Sequence, residues 1–304
     1  MHYNIGMATQ TRLFQNKIQN TIKTAVLMGG LFIVLGIVGY IFSIQFGNIN
    51  FLYISLGIGI FMNFFSYWFS DSLAIRASGA VRVDLGTAEG KRIHTSLEKL
   101  SAKAGLPMPR AYIIHDQSPN AFATGRNEAH SAVAVTSGLL AITNDAELDG
   151  VIAHELAHIG NKDILISSIV AVMVGVLTHM LHIGAMGGGN RDGEGSGQGG
   201  NPILGFAVII LGPIIGMMVQ MAVSRSREFQ ADATGAQITG NPEGLASALI
   251  NIHRQAHTPL QTAKASMEHM YISNPFGNLK MGTGLSKLFM SHPPVEERVA
   301  RLRG

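Results

Sequence analysis

The chain has 304 residues, of which 47% are hydrophobic and only 13% charged. Soluble domains usually carry about 25% charged residues, so this composition, with a mean hydropathy of +0.26, argues against an ordinary water-soluble globule and for a membrane protein. Cysteine is absent, which excludes disulfides and thiolate metal sites. The net charge of +3 is small and scattered, so no nucleic-acid footprint is expected.

Residues 1–23 carry Arg12, Lys17 and Lys23 and no acidic residue, and read as a basic N-terminal arm. A cleavable signal peptide is the competing reading, disfavoured because the apolar run that follows is too long for its core and a second run comes almost at once. Residues 24–69 read as a transmembrane hairpin. Ala25–Ile44 and Phe51–Phe69 are uncharged and each is near the ~20 residues that cross a bilayer. Tyr67 and Trp68 stand where an interfacial aromatic belt would be.

Residues 70–163 change character and read as a small α+β unit. Glu89–Ala104 has the spacing of an amphipathic helix stopped by Gly105-Leu106-Pro107. Ala111–Ile114 and Ala132–Thr136 have strand character, Asn120–Gly125 is a strand or loop, and Leu139–Thr143 is helical. The unit ends on Val151-Ile152-Ala153-His154-Glu155-Leu156-Ala157-His158. On a helix, His154 and His158 lie one turn apart on one face, a spacing that one metal ion bridges. Glu155 stands where a carboxylate reaches a metal-bound water. Ile152, Leu156 and Ile159 supply the helical apolar period, Asn144 with Glu147 reads as a capping box, and Gly160-Asn161 reads as the end.

Residues 164–223 read as a second transmembrane hairpin, made of the uncharged runs Ile164–Ile183 and Ile203–Val223. A glycine-rich loop, 184–202, joins them as a flexible linker; without a following G-K-[ST] it is not a phosphate loop. His179 and His182 in the third run have no accompanying carboxylate and are not expected to bind metal. Lys and Arg gather in the N-terminal arm, after Phe69 and after Val223. The positive-inside rule then puts both termini and both soluble segments in the cytoplasm.

Residues 224–304 complete the soluble part, with a helix opening at Asn241-Pro242-Glu243 and a short one over Val295–Leu302; Thr258–Ser291 is loop-rich. Two histidines leave a zinc site one protein ligand short. In Ser224–Ala233, Glu228 and Asp232 share one helix face: Glu228 is the candidate third ligand, and Asp232 the candidate acceptor for the far nitrogen of a ligand imidazole such as His154. A plain charged helix face at the membrane boundary fits the same spacing.

These pieces, taken in order, resemble the HtpX-type membrane metalloproteases, relatives of the CAAX prenyl endoproteases. The resemblance rests on the two N-terminal apolar runs, Asn120-Ala121-Phe122-Ala123-Thr124-Gly125, His154-Glu155-Leu156-Ala157-His158, an apolar hairpin before Ser224-Arg225-Ser226-Arg227-Glu228-Phe229-Gln230-Ala231-Asp232, and Ser291-His292-Pro293-Pro294 through Arg298. It covers nearly the whole chain. It implies a gluzincin-like α+β zinc protease domain fused to a mostly helical membrane part of about four transmembrane helices. One Zn2+ would be held by His154, His158 and Glu228, with Glu155 as catalytic base. It also implies that the segment from Asn120 and the strand of Ala132, Val133 and Ala134 bind substrate, the latter as a sheet edge that pairs with an extended peptide. The alternating Ala/Val run by itself fits a central core strand equally well. His292 or Arg298 would face the cleft and steady the oxyanion, although His-Pro-Pro alone is only a helix start.

The expected function is a zinc endopeptidase in a bacterial-type inner membrane, acting on misfolded or damaged membrane proteins or unfolded polypeptides. A narrow prenyl-protein protease and a non-catalytic metal-binding membrane scaffold are the alternatives. The oligomeric state is left open.

Overall fold

In the computed structural model, residues 17–187, 224–255, 270–272 and 293–304 are described, with side chains in the third apolar helix described through residue 175. The expectations for residues 1–16, for the glycine-rich loop from 188, for the run 203–223, for His179 and His182, for most of Thr258–Ser291 and for His292 lie outside the described residues.

Two long helices, α1 (Lys17–Phe46) and α2 (Asn50–Ala77), form the first hairpin, and both are long and apolar enough to cross a membrane. Their interface is close. A Cβ on Gly39 would stand 2.5 Å from the Ser55 Cβ, so this crossing requires glycine. Helix α2 continues eight residues beyond Phe69, through Ser70, Asp71 and Arg76. Charge marks where an apolar solvent would end, not where helical hydrogen bonding ends.

After a short strand β1 (Val81–Arg82), α3 (Ala88–Ala104) starts on a Thr87 side-chain cap and stops on left-handed Gly105. Strands β2 (Arg110–Ile114), β3 (Ala121–Asn127) and β4 (His130–Thr136) follow. A short helix α4 (Ser137–Ile142) leads into α5 (Asp145–Gly160), which carries the two histidines. The capping box that opens α5 is formed: Glu147 N–H donates to Asn144 Oδ1 and Asn144 N–H donates to Glu147 Oε2. Helix α6 (Asp163–Gly187) leaves α5 at a bend of 85°. Beyond the second apolar pair come α7 (Arg225–Thr239), α8 (Pro242–Gln255) and α9 (Val295–Arg303).

The four strands lie in the order β1-β2-β4-β3, with β4 parallel to β2 and antiparallel to β3. Strand β4 is therefore internal, paired on both edges, and Ala132, Val133 and Ala134 are fully buried. This corrects the expectation that the Ala132–Thr136 run is the substrate-pairing edge. A strand covered on both faces as well as both edges reads as a continuous small apolar run, as this one does. One sheet face, with Val133, Val135, Ala121 and Ala123, packs into the main core with Ile93 and Leu97 of α3 and Ile152 and Leu156 of α5. The other, with Ala132, Ala134 and Phe122, packs against Ala74 and Ile75 of α2, Ala171 of α6 and Tyr271. A third cluster joins Leu27, Leu31 and Leu35 of α1, Met62 of α2 and Ile166, Ile169, Val170 and Met173 of α6. The first three apolar runs thus form one bundle, and the sheet is set between it and the metal-ligand helix.

Candidate metal centre

Helix α5 presents His154 and His158 on one face, their Nε2 atoms 3.1 Å apart and their rings nearly perpendicular at 89°. Helix α7 brings Glu228 opposite. Its Oε1 is 3.5 Å from His158 Nε2 and its Oε2 is 3.8 Å from His154 Nε2. One potential ligand atom from each of the three residues falls within 4.8 Å of the others. Close helix crossing makes this possible. A Cβ on Gly235 of α7 would stand 3.0 Å from the His154 amide nitrogen, and one on Gly150 of α5 would stand 2.5 Å from the Leu245 nitrogen of α8. Side chains at either position would push apart the helices that carry the ligands. The sequence pattern gave these glycines no special weight, since glycine inside a helix announces close approach only once the neighbouring helix is known.

Both imidazoles are backed by carboxylates. Asp232 Oδ1 is 3.0 Å from His154 Nδ1, the pairing expected from sequence. Asp163 Oδ2 is 3.0 Å from His158 Nδ1, a partner the sequence reading did not assign. A carboxylate can only accept, so each Nδ1 carries the proton and each Nε2 turns its lone pair toward Glu228. Two lone pairs and a carboxylate converging without a cation between them would repel. The donor set of two imidazole nitrogens and one carboxylate, with no thiolate, fits zinc. Burial alone would lower the His158 pKa, but the bond to Asp163 and the charges of Glu228, Asp163 and Glu155 outweigh it and raise it to about 9.

Arg298 of α9 is buried, and its Nε and Nη2 both donate to Asp232, at 2.9 and 2.7 Å. Its Nη1 is 3.9 Å from Glu228 Oε2. Burial works against the Asp232 charge, yet the Arg298 guanidinium beside it wins and lowers the carboxyl to about 2. This geometry corrects the expectation that Arg298 faces the cleft as an oxyanion donor. It stands behind His154, locking the aspartate that orients the imidazole. Glu155 is buried beside His154, and its charge is felt by both His158 and Arg298.

Asn120 is also buried. Its backbone and side chain fix the start of β3: its N–H donates to Thr136 Oγ1, its carbonyl accepts from Thr136, and its Oδ1 accepts from Ala121 N–H. The bond from Thr136 N–H to the Asn120 carbonyl makes these two a hydrogen-bonded pair. In an antiparallel ladder such pairs alternate, so the amides of Ala121 and Ala123 turn away from β4. The Ala121 carbonyl accordingly accepts from Ile272 N–H at 3.0 Å.

The model of peptidase family M48 matches residues 87–304. The "Protease HtpX homolog" of Burkholderia ambifaria is 46% identical over 289 residues, covering 93% of this chain and 96% of the relative. That of Burkholderia mallei is 47% identical over the same extent. The chain belongs to the HtpX-type members of peptidase family M48. A solved structure titled "Crystal Structure of S. mikatae Ste24p" shares the fold, with a TM-score of 0.50 at 17% identity, covering 96% of this chain and 66% of that one. As an HtpX-type M48 peptidase, the chain is a membrane metalloprotease, and the His154, His158 and Glu228 cluster is its candidate metal centre.

Proposed function

We propose that the chain is a zinc endopeptidase that cleaves misfolded or damaged membrane proteins and unfolded polypeptides at the cytoplasmic face of a bacterial-type inner membrane. The observation that carries this reading is the convergence of two carboxylate-backed imidazoles and Glu228 beside a buried Glu155. His154, His158 and Glu228 would hold one zinc ion. Bound there, zinc acidifies a water toward a pKa of ~7 and polarises the scissile carbonyl. The Glu155 carboxylate takes the proton of the attacking water and delivers it to the leaving nitrogen. Asp232, clamped by Arg298, and Asp163 keep the Nδ1 protons of His154 and His158 in place throughout. A third ligand supplied as glutamate from a later helix is the gluzincin arrangement.

Strand β3, not β4, is the sheet edge that such a substrate would extend. Ala123, whose amide the ladder turns outward, is the pairing position, and Asn120 shapes the strand's start. Backbone pairing reads an extended chain with little regard to side chains, which suits unfolded substrates. Helix α6 and the run 203–223 would supply the third and fourth spans. The cytoplasmic orientation rests on the basic N-terminal arm, on Arg76 and Arg82 after Phe69 and on Arg225 and Arg227 after Val223. Zinc analysis of the purified protein, with casein and a denatured membrane protein as substrates, tests the reading. One zinc per chain, lost in Glu228→Ala, together with cleavage of both substrates, is the expected result. Stoichiometric zinc without cleavage of either would leave the metal-binding scaffold; cleavage of a prenylated peptide alone would leave the narrow processing protease.

A further inference from the structure

The first membrane helix reaches into the metal centre. Asn20, one turn into α1, is 1% exposed, and its Nδ2 donates to two acceptors. One is the carbonyl of Asn161, at 2.9 Å, which closes the C-terminal end of α5. The other is Asp163 Oδ1, at 2.5 Å, whose second oxygen holds His158 Nδ1 at 3.0 Å. Because both partners can only accept, the amide has a single workable orientation. Its Oδ1 then has no hydrogen-bond partner among the described residues. An unsatisfied buried carbonyl is destabilising, and such a group in a helix that otherwise favours apolar residues calls for an explanation.

The corner that Asn20 fills is itself strained. Between α5 and α6 the chain turns 85°, and Lys162 adopts φ 60°, the left-handed region that a residue with a Cβ enters at a cost. The backbone of this corner does not by itself hold the Asp163 carboxylate toward His158; two side chains reach its Oδ1, the buried Arg227 guanidinium, with Nε at 3.8 Å, and the Asn20 amide, at hydrogen-bond distance. The Asn20 amide ties the end of one helix to the first residue of the next and fixes that carboxylate between them.

We infer that Asn20 is a positioning residue for the metal centre: through Asp163 it sets the tautomer and direction of His158, so the seating of the first membrane helix tunes the hydrolytic site. This inference rests on the reading of His158 as a metal ligand. It separates Asn20 from the other tie at the start of α1, the Lys17–Glu128 ion pair at 2.7 Å, which fastens the helix to the β3–β4 turn.

The experiment uses the full chain in detergent or nanodiscs. Zinc affinity is measured by chelator competition, the ligand field by the visible spectrum of the Co2+-substituted protein, and turnover on casein. Asn20→Leu is expected to weaken zinc binding about threefold to tenfold, a smaller loss than the 10–100-fold typical of a residue bonded directly to a ligand. It should also shift the cobalt bands and lower kcat with KM unchanged, whereas Lys17→Gln should leave affinity and bands as in the wild type. Asn20→Ala removes the amide without adding bulk at the corner, and it decides the matter if the leucine variant does not fold. Wild-type affinity and cobalt bands in either folded variant, or the same shift in Lys17→Gln, would overturn the inference while leaving the metal centre intact. A wild-type chain that binds no zinc would overturn the metal reading and this inference with it.

Discussion

The membrane hairpin and the protease domain obey opposite solvent rules. On α1 and α2 many large apolar side chains point outward, with Ile33 62% and Phe61 64% exposed, while Asn20, Thr24, Ser66, Ser70 and Asp71 are buried alongside Leu27, Leu31 and Met62. In the protease domain Ile93, Leu97, Ile152 and Leu156 are fully buried, and Glu89, Lys91, Glu98, Lys99 and Lys103 lie outside. The same side chain is therefore a surface residue in one region and core in the other, because an apolar solvent removes the driving force for hiding it. Besides the apolar cluster of Ala74, Ile75 and Ala171 with the sheet, the two regions meet through polar contacts: Asn20 with Asp163, Asp71 with Arg110 at 2.6 Å, Thr124 with Ser168 at 2.8 Å, and the Arg126 guanidinium over Trp68 at 4.7 Å. Hydrogen bonds specify orientation where apolar packing alone would let the regions slide.

The largest expected effect lies on the protease side. Glu155→Gln should retain zinc, by metal analysis, and lose on the order of 10²–10⁴ in turnover, the usual worth of a positioned general base; full activity would remove Glu155 from the mechanism. Next, Arg298→Leu leaves the Asp232 carboxylate buried without its partner and should destabilise the protease domain by about 3–5 kcal/mol, read as a lowered unfolding midpoint. The sign of the pH effect follows from Asp232, whose pKa is lowered from 3.8 to about 2. Its contribution is complete above the unfolded value and disappears as pH falls through about 2. Arg298→Leu should therefore narrow the difference from wild type as an acid titration passes through that window.

The direct contrast between the two regions comes from trimming one apolar side chain in each. Leu156→Ala opens a cavity in the main core and should cost about 2–5 kcal/mol. Ile33→Ala on α1, facing an apolar solvent, should change stability in detergent or bilayer by less than about 0.5 kcal/mol. Comparable losses at both positions would mean that α1 is covered by protein rather than lipid. A small effect of the opposite sign belongs to the corner that joins the regions. Lys162→Gly removes the left-handed penalty and should raise stability by up to about 1 kcal/mol, visible as a small upward shift in the thermal midpoint with turnover unchanged.

Much of the site was legible because it is local. His154, Glu155 and His158 need only the helical repeat to face one way, and the cap at Asn144 and Glu147 spans four residues. Glu228 and Asp232 became candidates through chemistry rather than pattern: a metal with two imidazoles needs another ligand, and a ligand imidazole needs an acceptor behind it. Asp163 went unassigned because it lies five residues beyond His158 and across a bend, where helical spacing no longer says which side chains meet. Arg298 was placed on the wrong side of the ligands because the direction of a guanidinium depends on how α9 docks, and nothing in Pro293–Arg303 encodes that docking by itself.

The amino-acid order alone determined that the chain has long lipid-compatible helices, that one helix offers two nitrogens and a base to a metal, and that carboxylates would have to complete it. These follow from periodicity, from the absence of thiols and from coordination chemistry, all properties of short stretches. Tertiary structure decided which strand ends the sheet among the described residues, which side of the imidazoles Arg298 occupies, and that Asn20 of a membrane helix touches the relay behind His158. Each of these depends on contacts between segments tens to more than a hundred residues apart. The crossover order of the sheet, the glycine-permitted approach of α5, α7 and α8, and the bend at Lys162 are set by mutual packing, which the residues express only once all partners are in place.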